Sequence, residues 1–272
     1  MPFYPVVNQQ LVIDGVAYRI AEHPAAPGMP YGQEGRAATV YQLAAGQEYR
    51  AIKVFKPRFR TPTLVAVARQ LEAFAGLPGL QVCSRLVLVP HHHGALLQEH
   101  PDLTYAVVMP WVDGPTWMEV MISKRELTQD LCVDLARSMA HVLTCMEQRG
   151  VAHCDLASGN LLLPALGRME RPAGAEAVAL VDVEGVYGPG LVRPRDLMSG
   201  TSGYAHKTAG QALWGAESDR FAGAMLLCEI LVWSQEVVRQ MAYGESFFSS
   251  SELQQDCPRF YVLRQALRQD WG

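Results

Sequence analysis

His153-Cys154-Asp155-Leu156-Ala157-Ser158-Gly159-Asn160, followed by Leu161-Leu162-Leu163, is the stretch on which the reading of this chain turns. A polar loop runs into a short apolar strand. Within the loop a carboxylate, Asp155, and a carboxamide, Asn160, stand five positions apart. A carboxylate can accept or orient the proton of an attacking hydroxyl. A carboxamide oxygen suits a hard cation such as Mg²⁺. The same pair arises by chance in polar loops, so the order of the surrounding segments carries the weight.

Upstream, Tyr49-Arg50-Ala51-Ile52-Lys53-Val54-Phe55 alternates apolar residues around one lysine, which predicts a strand with Lys53 facing inward. Only four of the 23 basic residues are lysines (Lys53, Lys56, Lys124, Lys207), so a chain that favours arginine has kept lysine here. Downstream, Val178-Ala179-Leu180-Val181 reads as an apolar strand that ends in Asp182-Val183-Glu184-Gly185. Gly200-Thr201-Ser202-Gly203-Tyr204 follows. Then Glu217-Ser218-Asp219-Arg220 leads into the apolar run Met225–Leu231.

In this order the segments resemble the motifs of the protein-kinase family. The opening stretch is similar to the H-R-D-L-x-x-x-N catalytic loop, the lysine strand to V-A-I-K, and Asp182-Val183-Glu184 to an altered D-F-G. Gly200–Tyr204 resembles the G-T-x-G-Y that closes an activation segment. The run after Glu217 resembles a buried helix whose first-turn Asp braces the catalytic loop. The resemblance extends from about residue 18 to the end. It implies an α+β, bilobal protein-kinase-like fold: a small antiparallel β-rich N-lobe with one helix (1–112) and a larger, mainly α-helical C-lobe (113–272). The closest likeness is to atypical bacterial Ser/Thr kinases encoded beside a PP2C-type phosphatase and a von Willebrand domain protein.

The resemblance also implies roles. Asp155 would orient the acceptor hydroxyl, and Lys53, paired with Glu72, would hold the α/β-phosphates of ATP. Asn160, Asp182 and, as a second acidic contact, Glu184 would hold Mg²⁺ or Mn²⁺. The nucleotide would lie against Gly32, Gly35, Val40, Ala51, Met109 as gatekeeper, Pro110, Val112 and Leu162. A protein substrate and a cognate phosphatase are the implied partners. Ser199, Thr201, Ser202 and Tyr204 are candidate phosphosites.

Several positions depart from the pattern. Anchored on Val40, the glycine-loop motif places Gln33, Gly35 and Ala38 where the family has glycines, and Gly32 lies one place off. Cys154 stands for the Arg of H-R-D, which argues against switching through an Arg–phosphate pair. Ala157 stands for the Lys of Ser/Thr kinases, and Gly159 for the Arg of tyrosine kinases. An Asp-x-Glu at 182–184 is also seen in choline- and aminoglycoside-type small-molecule kinases. Three readings therefore stay open: an active protein kinase, a pseudokinase acting as a nucleotide-binding scaffold, and a small-molecule kinase.

Composition bounds the rest. The 272 residues are 49% hydrophobic and 18% charged with net charge −4, as in an ordinary globular protein. No basic stripe forms, so nucleic acid is not an expected partner. Six scattered cysteines without a C-x-x-C pair suggest neither zinc nor a redox motif and fit a reducing cytoplasm. The N-terminus lacks the pattern of a signal peptide, and the longest apolar run is too short to span a bilayer. His91-His92-His93 sits between Pro90 and Gly94 and reads as a surface turn between strands. Strands are expected at 11–13, 18–21, 37–43, 49–55, 86–89 and 104–111, and helices at 62–76, 127–149 and beyond 215. The Pro- and Gly-rich stretch 24–35 is expected to be irregular. Little helix follows 259–267, so the C-lobe is expected to be compact or cut short.

Overall fold

In the computed structural model, residues 3–169, 174–194, 200–206 and 213–271 are described. They divide into two compact units. One runs to Ala75 and resumes at Gln81–Trp111; the other comprises Gly76–Leu80 and everything from Val112 onward. The division thus falls one residue before the expected 112/113. The segment Gly76–Leu80 joins the second unit because the Leu180 N–H donates to the Gly79 carbonyl at 2.8 Å. Gly79 has φ +72°, and a Cβ there would meet Val142 Cγ2 at 2.8 Å.

The first unit is built on an antiparallel sheet. β1 (Gln10–Ile13) and β2 (Val16–Ile20) form a hairpin, with Leu11, Ile13, Tyr18 and Ile20 turned into the core. Asp14 and Gly15 both take positive φ at its turn, the geometry that matches strand twist. β3 (Gly32–Glu34) pairs with β4 (Ala38–Ala45), which pairs with β5 (Glu48–Phe55). β3 lies inside the stretch expected to be irregular. The prolines at 24, 27 and 30 precede it, so its backbone is free to join the ladder. α1 (Thr63–Leu71) buries Leu64, Ala68 and Leu71; the expected helix to 76 ends instead in a 3₁₀ turn at Glu72–Phe74.

β6 (Leu86–Val87), α2 (Gly94–Glu99) and β7 (Val107–Pro110) complete the unit, and the sheet order is β1-β2-β4-β5-β7-β6 with β3 on β4. The strand expected from 104 starts only at Val107, because Tyr105 has φ +61°. The histidine triplet does form a turn, but it leads into a helix, and His93 is buried with Nε2 3.1 Å from Asp14 Oδ1.

The second unit is mainly helical. α3 (Trp117–Ile122) begins with a capping box between Thr116 and Glu119. α4 (Gln129–Gln148) is capped by the Thr128 hydroxyl, buries Leu135, Met139, Val142 and Met146, and is followed by Gly150 at φ +66°. β8 (Leu161–Leu162) and β9 (Ala179–Leu180) form a two-stranded ladder. α5 (Arg220–Val232) packs against α4 and is buried at Leu226 and Ile230. α6 (Glu236–Met241) and α7 (Pro258–Trp271) follow. Trp117 and Trp233 meet edge to face, with ring centroids 5.1 Å apart. Among the described residues, no helix is long and apolar enough to cross a membrane.

Candidate active site

In the second unit the loop His153–Asn160 is held from below. Asp219, at the N-cap of α5, accepts the His153 backbone N–H at 2.5 Å and that of Cys154 at 2.9 Å. Burial raises the Asp219 carboxyl above its ordinary range. Cys154 sits at φ +66°, a conformation that costs a non-glycine residue about 1–2 kcal/mol. The His153 ring is fully buried, and its Nε2 lies 2.7 Å from the Val181 carbonyl oxygen. That contact ties the loop to the residue before Asp182. Burial, the largest cause, pushes the Cys154 thiol up to about 11. The thiol is therefore neutral at physiological pH, and Cys154 supplies no charge where the family pattern has Arg.

The β8–β9 ladder aligns the oxygen donors. Leu161 pairs with Leu180, and the Val181 N–H donates to the Asn160 carbonyl at 3.0 Å. Asn160 and Asp182 therefore leave the same end of the ladder. Asn160 Nδ2 donates to the Asp155 carbonyl at 2.8 Å, which leaves Oδ1 as the free end of the amide. Asp182 is exposed with φ +64°, and Glu184 lies in the 3₁₀ turn that follows. An amide oxygen and a carboxylate fit Mg²⁺, which draws much of its shell from water and phosphate oxygens. Among the described residues, no group of three or more His, Cys, Asp or Glu forms a self-sufficient metal cage.

The segment Gly200–His206 closes over this loop. Thr201 Oγ1 donates to Asp155 Oδ1 at 2.9 Å, while the Tyr204 hydroxyl donates to Glu229 Oε2 at 3.0 Å. The Trp117 indole N–H donates to the same carboxylate at 2.9 Å. Burial pushes fully buried Glu229 up to about 7. A cavity of about 190 Å³ opens beside Asp155, bordered by Leu156, Tyr204, His206, Leu213 and Phe221. Of the candidate phosphosites, Thr201 and Ser202 are exposed, Tyr204 is buried, and Ser199 lies outside the described residues.

The first unit carries the other expected residues. Lys53 is 6% exposed in β5, its Nζ 5.3 Å from the Phe55 ring centroid, and it stands opposite Val40 and Val107. Ala51 is buried opposite Met109. The Met109 sulfur lies 3.7 Å from Arg85 Nη2, and Pro110 is paired in register with Arg50. Val112 and Leu162 belong to the second unit, where Leu162 bridges to Thr116.

Three of the expected site residues have close neighbours within the first unit. Glu72 is one of them. It lies beyond the last turn of α1, is exposed, and accepts Ser84 Oγ at 3.2 Å and the Arg85 N–H at 3.3 Å. At Gly32 packing leaves no room for a side chain: a Cβ there would meet the Tyr41 ring at 2.5 Å. The Gly35 N–H is also spent, donating to the Ala38 carbonyl at 2.8 Å to close the β3–β4 turn. Conversely, the sequence placed Thr201 in the G-T-x-G-Y-like segment and among the candidate phosphosites but did not show its bond to Asp155. It also missed the burial of Glu229 inside an otherwise apolar helix, where a lone acid among apolar residues is the available signal.

No family model matches the sequence, and neither does any curated protein. Among solved structures, the crystal structure of the kinase domain of PF14_0431 is similar, with TM-score 0.54 and 12% identity, covering 85% of this chain and 67% of that one. The chain therefore has the α+β protein-kinase-like fold.

Proposed function

We propose that the chain is an ATP- and Mg²⁺-dependent protein kinase that transfers the γ-phosphate to a serine or threonine hydroxyl, acting in bacterial signalling in the cytoplasm. The observation that carries this reading is the 2.9 Å bond from Thr201 Oγ1 to Asp155 Oδ1. It places a threonine hydroxyl on the carboxylate expected to orient the acceptor. Asp155 is itself held by Asn160 and by a loop braced on Asp219. Asn160 Oδ1 and the Asp182 carboxylate would hold the metal, which when bound neutralises charge on the phosphates. Lys53, buried on β5, would meet the nucleotide phosphates. Asp155 would align the acceptor and take up its proton. Catalysis by such parts is positioning and electrostatics.

A second reading, the pseudokinase, is favoured by the engagement of Glu72 with Ser84 and Arg85. The test is phosphate transfer from γ-labelled ATP to the chain itself and to a generic basic protein, with Asp155→Ala and Lys53→Ala beside it. Label that both substitutions abolish supports the kinase. Mg²⁺-dependent ATP binding without transfer supports the scaffold. Transfer to choline- or aminoglycoside-type acceptors alone would move the assignment to a small-molecule kinase.

A further inference from the structure

We propose that Trp214 positions the turn Asp182–Gly185, on which the metal would be held, and that it acts through the Gly185 carbonyl. The inference rests on the kinase reading above. Local geometry is a poor anchor for this turn. Asp182 has φ +64°, a left-handed conformation that few non-glycine residues adopt. The 3₁₀ turn Val183–Gly185 that follows is closed by the Val186 N–H on the Val183 carbonyl at 3.3 Å, longer than a usual hydrogen bond. More distant groups have to hold it, and Trp214 is one of them.

The Trp214 indole N–H donates to the Gly185 carbonyl at 3.1 Å. Its ring meets the Tyr187 ring edge to face, with centroids 4.9 Å apart and planes at 87°. Tyr187 exchanges two backbone bonds with Ala152, at 2.8 and 3.0 Å, just before the loop His153–Asn160. The indole therefore grips the chain on both sides of Val186.

Trp214 is itself held. The Gly215 N–H donates to Ser218 Oγ at 3.0 Å, and the Ser218 hydroxyl donates to the Leu213 carbonyl at 3.1 Å. One side chain thus fixes the residues on either side of the indole. Ser218 directly precedes Asp219, which accepts the His153 and Cys154 N–H groups. The start of α5 therefore reaches out by two arms. Asp219 holds the loop that carries Asp155, and Ser218 with Trp214 holds the turn that carries Asp182 and Glu184. All of these groups belong to the second unit.

The test compares the full parent chain with Trp214→Phe, which keeps a ring for Tyr187 and deletes the N–H, and with Tyr187→Leu, which keeps the N–H and deletes the ring contact. Calorimetry gives the Mg²⁺ concentration that half-saturates binding of a non-hydrolysable ATP analogue, and separately the affinity for adenosine, which calls on no metal. Melting temperature is read beside them. In Trp214→Phe the Mg²⁺ requirement is expected to rise about three- to tenfold, the worth of one neutral hydrogen bond. Adenosine affinity should stay unchanged, and Tyr187→Leu should raise the Mg²⁺ requirement by a smaller factor. A lowered melting temperature with an unchanged Mg²⁺ requirement makes the bond merely structural and overturns the inference. So does an equal loss of adenosine affinity, which would mean general damage. If Trp214→Phe fails to fold, Tyr187→Leu decides, and an unchanged Mg²⁺ requirement there overturns the inference. A parent chain without Mg²⁺-dependent binding of the analogue overturns the kinase reading, and this inference with it.

Discussion

Asp219 Oδ1 accepts the backbone N–H of Cys154 at 2.9 Å, joining the start of α5 to the catalytic-type loop 65 residues away. The bond holds Cys154 in a left-handed conformation that a cysteine rarely adopts. The other oxygen of the same carboxylate accepts the N–H of His153. One buried side chain thus satisfies two consecutive backbone donors, and the loop keeps a shape that local preference would not give it.

Removing that carboxylate should be expensive. Asp219→Ala leaves two buried N–H groups without acceptors, and each orphan costs about 1–3 kcal/mol. Urea unfolding is expected to show a loss of ~3 kcal/mol, with Asp219→Asn losing less because it keeps one acceptor oxygen. A loss no larger than that of an exposed substitution would refute the brace.

Glu229 gives the fold a pH dependence with a definite sign. Its folded carboxyl is pushed up to about 7 by burial, against 4.5 ordinarily. The folded state therefore holds this proton more tightly than the unfolded one. The resulting stability is fully present below about pH 4.5 and is lost as pH rises through about 7, in total ~3 kcal/mol. Glu229→Gln keeps an oxygen for Tyr204 and Trp117 and should flatten this part of the curve. Unfolding free energies at pH 5 and pH 8 decide it: a difference between parent and variant that is the same at both values would mean Glu229 does not titrate.

Asp155→Asn keeps the side-chain shape but removes the proton acceptor. Phosphate transfer is expected to fall about 10²- to 10⁴-fold with ATP binding retained. Asn160→Ala should instead raise the Mg²⁺ concentration needed for half-maximal transfer. An unchanged Mg²⁺ requirement would remove Asn160 from the metal site.

Gly114 has φ +123°, and an added Cβ would overlap the Leu163 carbonyl. Its neighbour Asp113 accepts the backbone N–H groups of Arg168 and Met169, the latter at 2.8 Å. Gly114→Ala is expected to cost at least ~2 kcal/mol through backbone strain and displacement of this loop. A melting temperature equal to the parent's would show that the backbone relaxes freely there.

Much of this was legible in the chain, because it depends on short-range pattern. The alternation in Tyr49–Phe55, the stripe Leu131–Met146 and the apolar run after Asp219 each follow from burying one face of one element. The order of those elements, with Asp155, Asn160 and Asp182 at their ends, was enough to imply the fold.

Long-range hydrogen bonding decided what remained. Glu72 falls just beyond the end of α1 and bonds to Ser84 and Arg85, 12 and 13 residues further on, which no local pattern announces. That Gly32 has no room for a side chain and that the Gly35 N–H is bonded depend on the Tyr41 ring and the Ala38 carbonyl across the hairpin. The sequence by itself determined which elements form and in what order, since hydrophobic periodicity and capping are local. Only the tertiary structure decided which polar groups are already satisfied within the protein and which are left for a ligand, because each buried donor takes the acceptor that packing brings to it.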